Sequence, residues 1–176
     1  DFIYYVHGYR FHSKGKYIIN FLNYFIEKLL SNLTKKYINI NYEDYIVTKN
    51  NFKKDNILIK GVGININVNK KKIFCKNDNL NIIYIGAFKK SKGYFELIQL
   101  AKKLNNFKKI NFHCYGYGKN IKFKNKIISN NLHNIKIFDF EKNLINKLTS
   151  YDLLISFSYR EGLPVSVLEC MIRGVP

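Results

Sequence analysis

Two carboxylates, Glu161 and Glu169, stand with seven residues between them in the closing stretch SYREGLPVSVLECMIRGVP, Ser158 to Pro176. Gly162 and Pro164 mark a turn feeding a helix, and proline suits the first helical position, where a missing N–H costs nothing. Along that helix Val165, Leu168 and Ile172 recur at helical spacing, and Glu169 falls in the same stripe. A carboxylate at a core position is costly unless N–H or O–H donors face it. Either a ligand rich in hydroxyls supplies those donors, or Glu169 pairs with Arg173 one turn further on, or the position stays wet at a rim. The apolar, β-rich run Leu153–Phe157 precedes the turn and reads as a buried strand, so both carboxylates lie just past a strand end.

Comparable units precede this one. Asn81–Phe88 is an apolar strand run, followed by KKSKG and a helical pattern from Tyr94 to Leu104. A helix N-terminus offers free N–H groups and partial positive charge to an anion, and Lys92 adds a full charge. Lys109–Gly118 is a strand run ending in Gly116 and Gly118, ahead of a polar helical segment from Asn120 to Asn131. Ile135–Phe140 and a helical Asn143–Thr149 follow. Strand and helix thus alternate four times between Asn81 and Arg173, which predicts a parallel, doubly wound sheet with ligands outside the carboxyl ends of its strands. The amino-terminal part is of the same class. Phe2–Val6 reads as a strand, His7-Gly8 follows it, and Lys16–Leu33 as a long helix with Ile19, Leu22, Phe25, Ile26, Leu29 and Leu30 on one face. Tyr37–Ile40 and Asn56–Ile59 are further strands, with a polar helix from Glu43 to Lys49 between them. A shift to INVNKKK between Ile64 and Lys72 marks a domain boundary.

Ser158, Glu161, Gly162, Pro164 and Glu169 match the pattern S-x-x-E-G-x-P-x-x-x-x-E, and Gly174 and Pro176 match its continuation. On these residues the chain resembles the family 4 retaining glycosyltransferases, which have the GT-B fold of two Rossmann-like domains. Gly86, Lys92 and Gly93 resemble that family's phosphate-binding turn, and Gly116 and Gly118 its G-x-G after the second strand of the donor domain. HGYRF, INYEDY and KGVGIN resemble its HG loop, its N-x-x-D element and its approach to the interdomain linker. Three positions depart from the pattern. Ala87 stands where many members have Arg, leaving Lys89 or Lys90, which lack the bidentate fork, to replace it; Lys60 stands for a Pro and Asn65 for an Asp.

The resemblance implies residues 1–64 as the later part of the acceptor-side domain, 65–80 as a linker and 81–176 as the donor domain. On that alignment the first domain is incomplete at its start and the second at its end, as in an internal fragment inactive by itself. It implies transfer of a hexose from a nucleotide-diphosphate donor to a glycan or lipid-linked acceptor with retention of configuration, in polysaccharide or glycoconjugate assembly. His7 would face the anomeric carbon and Glu161 the donor sugar as the catalytic pair. Gly86, Lys92, Gly116, Gly118, Arg160, Gly162, Leu163 and Glu169 would bind the donor, with Lys92 on the diphosphate and Glu169 on the ribose hydroxyls. No cofactor and no metal are expected, because basic residues and a helix N-terminus take the cation's place. His12, His113 and His133 lie in no such motif.

A formal net charge of +18 ordinarily points to nucleic acid or an anionic surface. Here the lysines are spread along the chain, arginine occurs only at Arg10, Arg160 and Arg173, and no nucleic-acid motif interleaves aromatics with basic residues. No nucleic-acid partner is therefore expected. A basic, amphipathic first domain around Lys28, Lys35 and Lys36 suits a cytoplasmic protein in peripheral contact with the inner face of an anionic membrane. No apolar run is long enough to span a bilayer. Cys75, Cys114 and Cys170 are odd in number and too far apart for a ligand or redox motif. The competing readings are an epimerase or glycan phosphorylase of the same fold, and a basic module for RNA or membrane.

Overall fold

The computed structural model describes every residue except 1, 13, 14, 62, 65–77, 118, 119, 160 and 162, and gives no side-chain placement for 120–122. Cys75, Gly118, Arg160, Gly162 and most of the linker expected over 65–80 lie outside the described residues. The chain forms two compact units, Asp1–Gly63 and Ile64–Pro176, each built on a parallel sheet.

In the first unit β1 (Phe2–Val6), β2 (Thr34–Asn39) and β3 (Asp55–Leu58) lie side by side in that order. α1 (Tyr17–Ser31) connects β1 to β2, and α2 (Tyr42–Val47), continued by a π turn at Thr48–Phe52, connects β2 to β3. The register sets Tyr4 against Tyr37 and Ile38 against Ile57. Val6, Tyr9, Tyr37 and Phe52 form the core, with the Tyr37 and Phe52 rings stacked at 5.9 Å.

α1 is amphipathic as its spacing predicts, with its polar side turned inward. Its apolar face is exposed: Ile19, Leu22, Phe25, Ile26, Leu29 and Leu30 each keep at least 50% of their surface. The face turned inward is Asn20, Tyr24, Glu27 and Ser31, themselves at helical spacing. Specific polar contacts select it. Asn20 Nδ2 donates to the His12 carbonyl at 2.6 Å, and the Tyr4 hydroxyl donates to Glu27 Oε1 at 3.1 Å. The Tyr24 ring meets Phe11 edge-on at 5.4 Å.

The second unit holds β4 (Leu80–Ile85), a 3-10 turn at Lys90–Lys92, α3 (Tyr94–Lys103), β5 (Ile110–Tyr115), α4 (Asn120–Ser129) and β6 (Ile135–Phe138). A 3-10 segment at Leu144–Ser150, β7 (Leu153–Ile155) and α5 (Val165–Ile172) complete it. The strand order is β6-β5-β4-β7, all parallel. Ile82 and Tyr84 of β4 point into one core with Leu97, Phe112 and Phe123, while Ile83 points into another with Leu148, Tyr151 and Cys170. Burial on both faces explains why this strand reads as an unbroken apolar run. Among the described residues no helix is long and apolar enough to cross a membrane.

The strand order has a functional consequence. Two successive crossovers carry the chain from β4 outward to β6, and the next returns it to the opposite side of β4 as β7. Such a reversal leaves a crevice at the carboxyl ends of the two strands where the direction changes, here β4 and β7.

Candidate functional site

Both sides of that crevice carry residues singled out from the sequence. After β4 the chain runs through Gly86, Ala87 and Phe88, makes the 3-10 turn and enters α3 at Gly93. Gly93 has φ +69°, in the left-handed region, and a Cβ there would overlap the Phe157 carbonyl oxygen. Glycine is therefore required at this turn on two separate grounds. Gly116 answers a different need: the space a side chain would fill is taken by the Gly86 carbonyl. The Gly86 and Phe88 amides donate to the Tyr115 and Tyr117 carbonyls at 2.9 and 3.1 Å, so β4 and β5 stay joined beyond their ends. This close approach is backbone to backbone within the sheet and needs no ligand to account for it.

Lys92 and Glu161 meet. The lysine Nζ donates to Glu161 Oε1 at 2.6 Å, with both side chains about seven-tenths buried. Burial pushes the Glu161 carboxyl up, but hydrogen bonds from Lys92 and Ser158 and the lysine charge outweigh it, and the group is held below the usual carboxylate range. The pair bridges the β4–α3 turn and the β7–α5 loop. Further contacts join the same segments: the Tyr159 amide donates to the Ser91 carbonyl at 3.1 Å, and the Tyr159 hydroxyl donates to Glu96 in the first turn of α3. Ala87 is buried, whereas Lys89 and Lys90, the two candidates to replace the missing arginine, are exposed.

α5 starts at Val165, one residue later than expected, so Pro164 is its N-cap and not its first helical residue. Its deepest residue is Cys170, fully buried in the core with Ile83, Leu148 and Tyr151, while Val165, Leu168, Glu169 and Ile172 are all half-buried. The stripe read from the sequence is thus the flank of the helix and not its core face. Glu169 has no hydrogen bond or ion pair through its carboxylate among the described residues, and burial alone raises that carboxyl above its ordinary value. Leu163 is half-buried in the loop ahead of the helix.

In the first unit His7 is exposed just past β1, its ring 4.8 Å from that of Tyr5. The loop that follows is tied down by Asp44, which the sequence singled out only as part of INYEDY. Asn41 caps α2 by accepting from the Asp44 amide at 2.8 Å, and its Nδ2 donates to Asp44 Oδ2 at 2.6 Å. Asp44 Oδ1 in turn accepts from the Tyr9 amide at 3.4 Å, so the N-x-x-D element works here as a cap that also holds the HG loop. The Tyr9 hydroxyl bonds to Thr48 Oγ1 at 2.7 Å, and Thr48 donates to Asn39 Oδ1 at 3.1 Å, filling the buried polar layer beneath that loop.

Residues 65–176 match the sequence family described as glycosyl transferases group 1. The chain belongs to this family. Compared with curated proteins by sequence, it has no match. Solved structures of similar fold include a mutant of TarM from S. aureus, in complex with Fondaparinux, alpha-GlcNAc-glycerol and UDP, at a TM-score of 0.82 and 20% identity over 99% of this chain and 35% of that one. WaaG, a glycosyltransferase involved in lipopolysaccharide biosynthesis, matches at 0.77 and 15% identity over 99% and 55% of the two chains. Anabaena HepE in complex with UDP and glucose matches at 0.77 and 15% over 99% and 51%. At these identities the likeness is one of fold, the parallel-sheet α/β architecture of GT-B enzymes. This chain spans between a third and just over half of their length.

Proposed function

We propose that this group 1 chain carries the nucleotide-sugar site of a retaining, family 4 glycosyltransferase that moves a hexose to a glycan or lipid-linked acceptor. The observation that carries the reading is the Lys92–Glu161 pair: residues far apart in sequence are held 2.6 Å apart at the carboxyl ends of β4 and β7, where the strand order reverses. Lys92 and the N-terminal amides of α3 would take the donor diphosphate and neutralise it as it leaves, the work a metal does elsewhere. Once phosphate oxygens compete for the ammonium, the Glu161 carboxylate is free to accept from hydroxyls of the sugar. Glu169, half-buried and without a partner among the described residues, would accept from the ribose hydroxyls. The acceptor hydroxyl would attack from the face that the diphosphate vacates, with no protein nucleophile, and His7 would orient the donor.

UDP in similar solved structures supports a nucleoside diphosphate as the ligand class. The pathway we favour is polysaccharide or glycoconjugate assembly in the cytoplasm, at a membrane surface. Membrane contact is supported by the exposed apolar flank of α1, with Lys16 ahead of it and Lys35 and Lys36 beyond it.

Calorimetric titration with UDP, GDP and ADP and their sugars tests the reading. One diphosphate should bind, and Lys92→Ala and Glu169→Ala should each weaken it about tenfold or more, the worth of one charge-assisted hydrogen bond. Glu161→Ala should mainly slow sugar transfer. An absence of nucleotide binding, together with tight and salt-sensitive RNA binding, would replace this reading with the basic-module one.

A further inference from the structure

Tyr84 lies on β4 in the core shared by Phe88, Leu97, Phe112 and Phe123, and only 2% of it is exposed. Its ring stacks on Phe88 at 6.4 Å. A phenylalanine would satisfy that packing, and a buried phenol is costly unless its O–H finds an acceptor. The acceptor is not in the sheet. The Tyr84 hydroxyl donates to the Lys92 carbonyl at 2.9 Å, on the turn that precedes α3.

The carbonyls of that turn are all engaged. The Lys89 and Lys90 carbonyls accept from the Lys92 and Gly93 amides within the turn, and the Ser91 carbonyl accepts from Tyr159 of the β7–α5 loop. The Lys92 carbonyl is held from below by Tyr84. Gly93 follows directly, wedged against the Phe157 backbone. The backbone of the residue whose ammonium meets Glu161 is therefore held both by bonds within the turn and from the core, and Tyr84 is the side chain that reaches its carbonyl. Gly86 leaves room for this strut, since a Cβ there would come within 3.2 Å of the Tyr84 hydroxyl.

We propose that Tyr84 is a positioning residue: its phenol, rooted in the core, holds the Lys92 carbonyl and thereby aims the Lys92 ammonium into the β4–β7 crevice toward the diphosphate. The proposal rests on the assignment of Lys92 to the donor diphosphate made above. Burial pushes the phenol far above its ordinary value, so it remains a donor at every pH at which the protein works.

The test uses Tyr84→Phe, which removes one oxygen and leaves the ring. Affinities for UDP, GDP and ADP are measured beside those for the matching monophosphates, in the starting chain, Tyr84→Phe, Lys92→Ala and the double variant, with the melting temperature of each recorded. Tyr84→Phe should lower diphosphate affinity roughly threefold to tenfold, the worth of one neutral hydrogen bond, and leave monophosphate affinity unchanged. In the Lys92→Ala background it should have no further effect on binding. A purely structural tyrosine would lower the melting temperature and leave the diphosphate-to-monophosphate ratio alone, and that result overturns the proposal. If Lys92→Ala abolishes diphosphate preference but Tyr84→Phe does not touch it, the positioning role fails and the site reading stands. If the starting chain binds no nucleotide, both fall.

Discussion

Three glycines separate backbone strain from steric overlap: Gly93 and Gly116 test the packing of the crevice, and Gly63, in the first unit, shows the cost of backbone strain alone. Gly63 has φ +75° with nothing within 4 Å of a built Cβ, so Gly63→Ala pays only for the left-handed backbone, about 1–2 kcal/mol. Gly116 has no positive φ, but its Cβ would overlap the Gly86 carbonyl, and displacing that backbone costs about 1–3 kcal/mol. Gly93 combines the two, with φ +69° and an overlap with the Phe157 carbonyl, so Gly93→Ala should cost about 2–5 kcal/mol. At about 4 °C per kcal/mol for a unit of this size, that lowers the melting temperature of the second unit by roughly 8–20 °C. Differential scanning calorimetry of the three variants reads the order directly: Gly93→Ala worst, Gly116→Ala intermediate, Gly63→Ala mildest. Nucleoside diphosphate binding measured well below each transition should be lost in Gly93→Ala alone, because only there does the shift move Lys92 away from Glu161. A Gly93→Ala chain as stable as Gly63→Ala would refute the contact between the β4–α3 turn and the β7–α5 loop on which the site depends.

Other outcomes follow from the same structure. Burial raises the Glu169 carboxyl, so the folded chain holds this proton more tightly than the unfolded chain; the stability it contributes is complete below the ordinary glutamate value and lost as pH rises through the raised one. Glu169→Gln should then raise the melting temperature at neutral pH and leave it unchanged in acid, whereas a decrease at neutral pH would mean that the carboxylate has stabilising partners in the protein. Asn41→Ala removes the cap of α2 and should cost about 1–2 kcal/mol, with faster amide exchange at Tyr9 as the sign that the HG loop has been released. Burial pushes the Cys114 thiol far up and that of Cys170 up to about 12, so neither should react with a thiol reagent at pH 8 until the second unit unfolds. Fast labelling of either would contradict the core described around β4 and α5.

Much of the second unit is legible in the sequence because strand and helix each carry their own signal there. The apolar run of β4 reads as a strand buried on both faces, and Lys92-Gly93 and Glu161 fall in the turns between a strand run and the helix after it. Their meeting was less accessible, since it depends on β7 pairing with β4 and not with β6, which no local pattern encodes. The apolar face of α1 is legible as well, but not the direction it turns: periodicity separates the two faces, and the polar one is held inward by contacts of Asn20 and Glu27. On α5 the apolar spacing marks a flank: Val165, Leu168 and Ile172 are half-buried and Cys170 takes the core position, which its small side chain does not signal. Tyr84 gave no signal, because a tyrosine in an apolar strand looks like packing until the carbonyl it reaches is known.

The most direct test of the donor-site assignment is a crystal structure of the chain with a bound nucleoside diphosphate. The account predicts the diphosphate at the N-terminus of α3, in hydrogen-bond reach of Lys92 Nζ, with Glu161 displaced from that ammonium and the ribose hydroxyls on the Glu169 carboxylate. A nucleotide bound elsewhere, with the Lys92–Glu161 pair intact and Glu169 facing solvent, would contradict it.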